Sequence, residues 1–199
     1  MIDSRSKLYT TAKLFSVAGN PLITSTLIIG VACIRLLNGL YALAILAVLV
    51  LCVIVPIVWW NHRGVRSGRY SDFDVSRRED RNTMYPLLFF LPLIGSAVLG
   101  AAQQPRALTG GMLAASLMSL AASLINRWIK ISLHAAFSFF FAVGSAALTW
   151  RMVAPLTIFA ILVTISRWII GRHVWRELVL GTLLGVFAGS ALLKTIGVL

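Results

Sequence analysis

Long apolar stretches constrain this chain more than any other feature, because they leave little of it polar enough to face water. The longest covers residues 21–60 and carries one charged residue, Arg35. A bilayer core about 30 Å thick is crossed by about 20 helical residues at a rise of about 1.5 Å each. The stretch is therefore long enough for two spans, and Arg35 with the pair Asn38 and Gly39 marks a tight connection between them.

The composition also argues against a soluble globular enzyme. Hydrophobic residues make up 59% of the chain and charged residues 12%, with a mean hydropathy of +0.89. A soluble domain is about 45–50% apolar and about 25% charged. Neither cysteine has a metal-ligand spacing beside it, and we interpret both as thiols buried in the membrane.

Further apolar stretches predict the remaining spans, at residues 85–102, 107–125, 131–150, 152–166 and 178–199. Together they predict an all-α, polytopic transmembrane helical bundle of seven spans, or of six if the first hairpin is one long or re-entrant element. We expect four segments: residues 1–20 as an amphipathic interfacial segment that is retained, 21–60 as a transmembrane hairpin, 61–83 as a basic loop or surface helix, and 84–199 as a transmembrane core.

The charge distribution predicts an orientation. Lys and Arg number 18 against 6 Asp and Glu, a net charge of +12. In a membrane protein such an excess collects on cytoplasmic connections or neutralises a phosphorylated substrate, so we expect no nucleic acid partner. With alternating connections, one side holds 14 of the 18 basic residues, in residues 1–20, 61–83, 126–130 and 167–177.

The positive-inside rule places that basic side in the cytoplasm. We therefore expect an integral protein of the cell inner or plasma membrane, with its basic side cytoplasmic. Arginines that bind phosphate would gather on one side whatever the topology, so a phosphate site is a second explanation of the same asymmetry.

Three glycines in the last predicted span form a stripe of small residues at four-residue spacing. Gly181, Gly185 and Gly189 would let another helix approach closely. We favour packing within one bundle, and a homo-oligomer through this face is the alternative.

Two histidines lie at the edges of predicted spans, where an ionisable side chain often has a function. His134 enters one span, and His173 lies between two spans. Glu177 is four residues after His173, so on a helix both share one face. The carboxylate can accept the Nδ1 hydrogen and leave Nε2 as a nucleophile.

Nearby arginines complete a pattern that indicates phosphoryl transfer through histidine. Arg167 and Arg172 offer planar donors for a phosphate. The alternative is that the basic residues anchor the helices at the level of the lipid headgroups. In that case His173 is an interfacial residue whose hydrogen bonds are satisfied and which has no catalytic role.

This pattern resembles the signatures of the type 2 phosphatidic acid phosphatase superfamily. The third signature reads Ser-Arg, five residues, His, three residues, Asp, and residues 166–177 match every spacing, with Glu177 in place of the Asp. The second, Pro-Ser-Gly-His, is similar to residues 131–134, which keep Ser132 and His134. The first, Lys, six residues, Arg-Pro, is poorly matched: with Arg81 in the Arg position, Asp74 replaces the Lys and Asn82 the Pro.

The resemblance implies a metal-independent histidine phosphatase of the membrane that needs no cofactor. In it His173 attacks the phosphorus, His134 protonates the leaving oxygen, and Arg167 binds the nonbridging oxygens together with a basic residue of the 77–81 region. Ser132 would add hydrogen bonds to the same phosphate. The further residues that we expect to bind the substrate phosphate are Arg78, Arg81, Lys130 and Arg172.

A lipid phosphate is the natural candidate for the substrate, since a site at headgroup level admits a molecule whose tail stays in the bilayer. The sequence leaves open a phosphatidate, another glycerophospholipid phosphate monoester, and a polyprenyl phosphate or diphosphate. Two other functions also stay open. Asp72, Asp74 and Asp80 would hold Mg²⁺ in an intramembrane prenyltransferase, and an inactive relative would merely bind lipid phosphate.

Overall fold

The computed structural model describes residues 6–199, and all regular secondary structure in this part of the chain is helical. The predicted all-α class is confirmed. The helices are α1 Lys7–Ala18, α2 Pro21–Leu36, α3 Gly39–Leu49, α4 Val55–Arg66, α5 Tyr85–Ala101, α6 Arg106–Ile125, α7 Leu133–Gly144, α8 Val153–Ile169 and α9 Trp175–Ile196. A π-helical turn, Val50–Ile54, joins α3 to α4, and 3₁₀ turns cover Asp80–Thr83, Ser145–Ala147 and Trp150–Met152.

Five helices among the described residues are long and apolar enough to cross a membrane: Gly39–Arg66, Asp80–Ala101, Arg106–Ile125, Trp150–Ile169 and Trp175–Ile196. The pair α1 and α2, bent by 51°, adds a sixth if it forms one broken span. Large apolar side chains point outward, as at Phe187, which is 73% exposed. Such exposure suits contact with lipid, so the helices are compatible with an integral membrane protein.

The connection predicted near Arg35 lies where α2 ends and α3 begins. The helix α2 ends at Leu36 and α3 starts at Gly39. Gly39 has a φ of +51°, a left-handed conformation that glycine adopts without steric cost. The polar stretch that follows is partly helical, because α4 continues to Arg66.

The predicted span 131–150 forms a short helix. It contains 12 residues of α-helix, α7, and 3 residues of 3₁₀ helix, Ser145–Ala147. At about 1.5 Å per residue this length falls short of a bilayer core about 30 Å thick. Most of α7 is buried, including both polar positions His134 and Ser138, as expected for a helix that is apolar on every side. It is an inner helix of its unit.

The chain divides into two compact units. The first contains residues 6–25 and 128–199, so that α1 joins α7, α8 and α9; within it, α7 packs against α9 and α8, and α1 packs against α8. The second contains residues 26–127, with α5 packed along α6. The first five residues of the predicted interfacial segment lie outside the described residues.

The glycine stripe of α9 faces α7 within the first unit. A Cβ on Gly181 would stand 2.5 Å from the carbonyl oxygen of Ser132, and one on Gly185 would collide with that of Ala136. Residue numbers rise together along both helices, so α7 and α9 are parallel. All three glycines are buried. The stripe therefore serves packing inside the chain, and this face offers no exposed surface to a homo-oligomer.

Candidate active site

The turn between α8 and α9 holds Arg167 and His173 close in the backbone. Gly171 has a φ of +71°, and the amide of Arg172 donates to the carbonyl of Arg167 at 3.0 Å while that of Gly171 donates to Trp168 at 3.0 Å. This pattern is a Schellman motif, which satisfies the last carbonyls of a helix and reverses the chain. The amide of His173 also donates to the Arg167 carbonyl, at 3.3 Å.

The predicted pairing of His173 with Glu177 is present. His173 Nδ1 lies 2.6 Å from Glu177 Oε2, with side-chain exposures of 1% and 16%. With a proton on Nδ1, the imidazole donates to the carboxylate and Nε2 carries the lone pair. Glu177 lies in the first turn of α9, where a negative charge is favoured by the helix dipole.

Lys130 is placed beside the same carboxylate. Its Nζ donates to the carbonyl of Arg172 at 2.9 Å and lies 3.9 Å from Glu177 Oε2. The amide of Ser132 donates to the backbone carbonyl of Glu177 at 3.1 Å. Residues 130–132 are therefore joined both to the turn before α9 and to the first turn of α9.

Ser132 and His134 begin α7. Ser132 is fully buried and is the N-cap, with its Oγ accepting a hydrogen bond from the amide of Ala135 at 3.4 Å. His134 is buried in the first turn. Because α7 and α9 are parallel and joined at their starts by the bond from Ser132 to Glu177, their positive dipole ends lie side by side. Such ends favour a bound anion.

Arg167 contacts α1, which the sequence reasoning did not anticipate. Arg167 is 2% exposed, and its Nη1 donates to Ser16 Oγ at 2.7 Å. Ser16 was missed because it lies far from every motif. The available signal was the face of small residues formed by Ala12, Ser16 and Gly19, a pattern typical of close helix packing. Arg172, also predicted to bind phosphate, is exposed.

Arg78 and Arg81 belong to the second unit, where both contact backbone carbonyls. Arg81 is buried, and its Nε donates to the carbonyl of Val75 at 2.9 Å. Arg78 Nη2 donates to the carbonyl of Arg127 at 2.6 Å, and Asn126 Nδ2 donates to the carbonyl of Arg78 at 3.2 Å. These bonds fold the polar segment onto the end of α6, and the binding of phosphate by either arginine stays a prediction.

Asp72 of the polar segment takes part in a local turn. Asp72 accepts hydrogen bonds from Ser76 at 2.9 Å and from Ser71 at 3.3 Å. Among residues 6–199, no three His, Cys, Asp or Glu side chains form a group that could hold a metal ion.

Comparisons of the chain with protein-family models, with curated proteins and with solved structures find no match. The resemblance to type 2 phosphatidic acid phosphatases therefore depends on the residues and spacings given above.

Proposed function

We propose that the protein is an integral membrane phosphatase that removes phosphate from a lipid phosphate through a phosphohistidine intermediate. The observation that carries the proposal is the 2.6 Å contact between the buried imidazole of His173 and Glu177. A carboxylate on Nδ1 orients an imidazole and stabilises the cation formed when Nε2 reacts. The amide of His173 donates to the carbonyl of Arg167 in the turn between α8 and α9. In the proposal, one segment therefore supplies both the nucleophile and a cation that binds phosphate.

In the first step His173 Nε2 forms a bond to phosphorus as the bond from phosphorus to the lipid oxygen breaks. His134 donates a proton to the leaving lipid alkoxide. The three nonbridging oxygens carry negative charge before and during the transfer, and Arg167 binds them throughout. The side chains of Ser132, Lys130, Arg172, Arg78 and Arg81 are the further phosphate-binding candidates.

In the second step water attacks the phosphorus of phosphohistidine. The bond from Nε2 to phosphorus breaks, inorganic phosphate leaves, and His134 accepts a proton from the attacking water. The enzyme returns to its starting protonation state without a metal or a cofactor.

The proposed location of the protein in a lipid bilayer supports a lipid phosphate as its substrate. A lipid tail remains between outward-facing apolar side chains while the phosphate reaches the ends of α7, α8 and α9. We propose a phosphatidate-type lipid or a polyprenyl phosphate or diphosphate as substrate. The proposal includes six or seven membrane crossings and an active site on the cytoplasmic side of a cell inner or plasma membrane, since 14 of the 18 basic residues fall on one side of the topology predicted from the sequence.

The test is release of inorganic phosphate by the purified protein in detergent, with a metal chelator present. His173→Ala should abolish turnover, and the acid-labile phosphoenzyme that forms with labelled substrate should be absent. His62→Ala is the matched control, because His62 is exposed and lies in the second unit. Turnover by His173→Ala at the wild-type rate would remove the mechanism.

Two specific results would select another function. Loss of turnover in chelator, with recovery on addition of Mg²⁺, would favour a metal-dependent prenyltransferase. Phosphate binding without turnover would favour the inactive relative, which the departures at Asp74, Asn82 and Glu177 from the family signatures also support.

A further inference from the structure

We propose that Ser16 in the N-terminal helix is a positioning residue for Arg167, and that α1 is part of the phosphate site. This inference rests on the proposed function, in which Arg167 binds the phosphoryl oxygens. Ser16 belongs to none of the signature segments, and its role comes only from its contact across the first unit.

The contact is short and buried on both sides. Arg167 Nη1 donates to Ser16 Oγ at 2.7 Å, with Arg167 2% exposed and Ser16 4% exposed. A hydrogen bond from a charged donor at this distance is among the stronger bonds in proteins. The guanidinium is planar and its donors form a rigid fork, so a bond at Nη1 restricts the direction of the whole group.

A second contact, one turn away, shows that α1 is closely seated on α8. Gly19 faces Val163, and a Cβ at Gly19 would collide with both γ-carbons of that side chain. Val163 is fully buried and precedes Arg167 by four residues, so both lie on one face of α8. The pairs of Gly19 with Val163 and of Ser16 with Arg167 run in opposite directions, so the two helices are antiparallel here.

The rest of α1 suits a helix at the membrane surface that also reaches the site. Ala12 and Ser16 are buried, whereas Leu14 and Val17 are 67% and 56% exposed and Lys13 is exposed. The interfacial segment predicted from the sequence therefore has a second, buried face, which packs on α8 and contacts the Arg167 guanidinium through Ser16.

Loss of the Ser16 hydroxyl should weaken phosphate binding more than it slows chemistry. The guanidinium contacts the phosphoryl group both before and during the transfer, and removal of such uniform binding raises KM with little change in kcat. For Ser16→Ala we expect KM for a lipid phosphate and the dissociation constant for inorganic phosphate to rise about tenfold, because a guanidinium that Ser16 no longer holds must be ordered when phosphate binds.

The experiment compares the wild type with Ser16→Ala, with Thr11→Ala as control. Thr11 lies on the same helix and is exposed, so its replacement should change neither constant. Inorganic phosphate binding is measured directly by ³¹P NMR line broadening in detergent, beside the turnover assay. Arg167→Lys and the double variant complete a cycle, in which Ser16→Ala should add almost nothing once the guanidinium is gone.

A second pair of variants covers the case in which Ser16→Ala does not fold. Ser16→Thr and Ser16→Val have nearly the same shape and differ in the hydroxyl. The proposal predicts phosphate affinity about tenfold higher for the threonine variant than for the valine variant.

The outcomes separate this inference from the proposed function. Turnover by the wild type with equal phosphate affinity in wild type and Ser16→Ala would overturn the role of Ser16 and leave the phosphatase intact. If the wild type shows no turnover and Ser16→Ala binds phosphate more weakly than the wild type, the result supports the role of Ser16 and overturns the phosphatase. An effect of Ser16→Ala that is equally large in the wild type and in the Arg167→Lys variant would also overturn the role of Ser16.

Discussion

At the scale of single residues, Glu177 connects more of the candidate site than any other signature position. Its carboxylate lies 2.6 Å from His173 Nδ1 and 3.9 Å from Lys130 Nζ, and its carbonyl accepts the amide of Ser132. The longer side chain reaches the imidazole from the first turn of α9. The exchange of the Asp of the family signature for Glu is therefore compatible with the contact on which the histidine depends.

We predict that shortening the side chain of Glu177 lowers kcat, because the backbone places the carboxylate of the longer Glu side chain against His173. Glu177→Asp withdraws the carboxylate by about 1.5 Å even though it gives the residue of the signature that this segment resembles, and kcat should fall about 10- to 100-fold. Glu177→Gln, which cannot stabilise the imidazolium, should lower kcat by roughly 100-fold or more. Both are measured as phosphate release, with the exposed Glu79→Gln as control. An aspartate variant at least as active as the wild type would contradict this account of the turn.

The pairing of His173 with Glu177 was open to sequence reasoning because it depends on local spacing alone. Side chains four residues apart meet on a helix whatever lies around them. The contact of Ser16 with Arg167 could not be predicted from the sequence, since it depends on how α1 docks on α8. No local sequence pattern specifies that register.

At the scale of helices, packing between α7 and α9 holds the starts of these two helices, which carry candidate catalytic residues, side by side. Three glycines let the backbones approach until carbonyl oxygens of α7 meet the surface of α9. The start of α7, with Ser132 and His134, is thereby held against the first turn of α9. The glycine spacing predicted such a contact, but α7 could not be identified as the partner from the sequence.

Replacement of a stripe glycine should destabilise the first unit. Gly185→Ala forces a Cβ onto the carbonyl oxygen of Ala136, and the two backbones must separate. Overpacking of this kind costs about 1–3 kcal/mol, so we expect a lower midpoint of thermal unfolding in detergent. Gly111→Ala on α6 is the control, because a Cβ there meets nothing within 4 Å and alanine favours a helix by about 1 kcal/mol. Equal midpoints for the two variants would contradict the packing.

The helix α7 shows why the count of spans is harder to predict than the class of fold. Its sequence is as apolar as that of a spanning helix, and hydropathy alone places a span at residues 131–150. A helix buried in protein and a helix buried in lipid need the same apolar side chains, so the burial of α7 among its neighbours could be learned only from the fold.

At the scale of the whole molecule, the number and sides of the crossings decide where a substrate meets the site. Within the second unit, the helix α5 separates the basic segment before it from the connection 102–105 after it. The basic segment is folded by bonds from Arg81 to Val75 and from Arg78 to Arg127. These bonds give the arginines a structural use beside any contact with phosphate.

That helix allows a test of orientation. Ser67→Cys, at an exposed position before α5, should react with a membrane-impermeant maleimide only after the membrane is opened, because the positive-inside rule predicts a cytoplasmic location for this arginine-rich segment. Ala102→Cys, exposed after α5, should react from outside in intact cells. The native thiols Cys33 and Cys52 are replaced by alanine in both variants. Labelling of both positions from one side would mean that α5 does not cross the membrane. The reverse pattern would place the basic end outside the cell. Phosphate binding would then explain the concentration of arginines there, and the positive-inside rule would not.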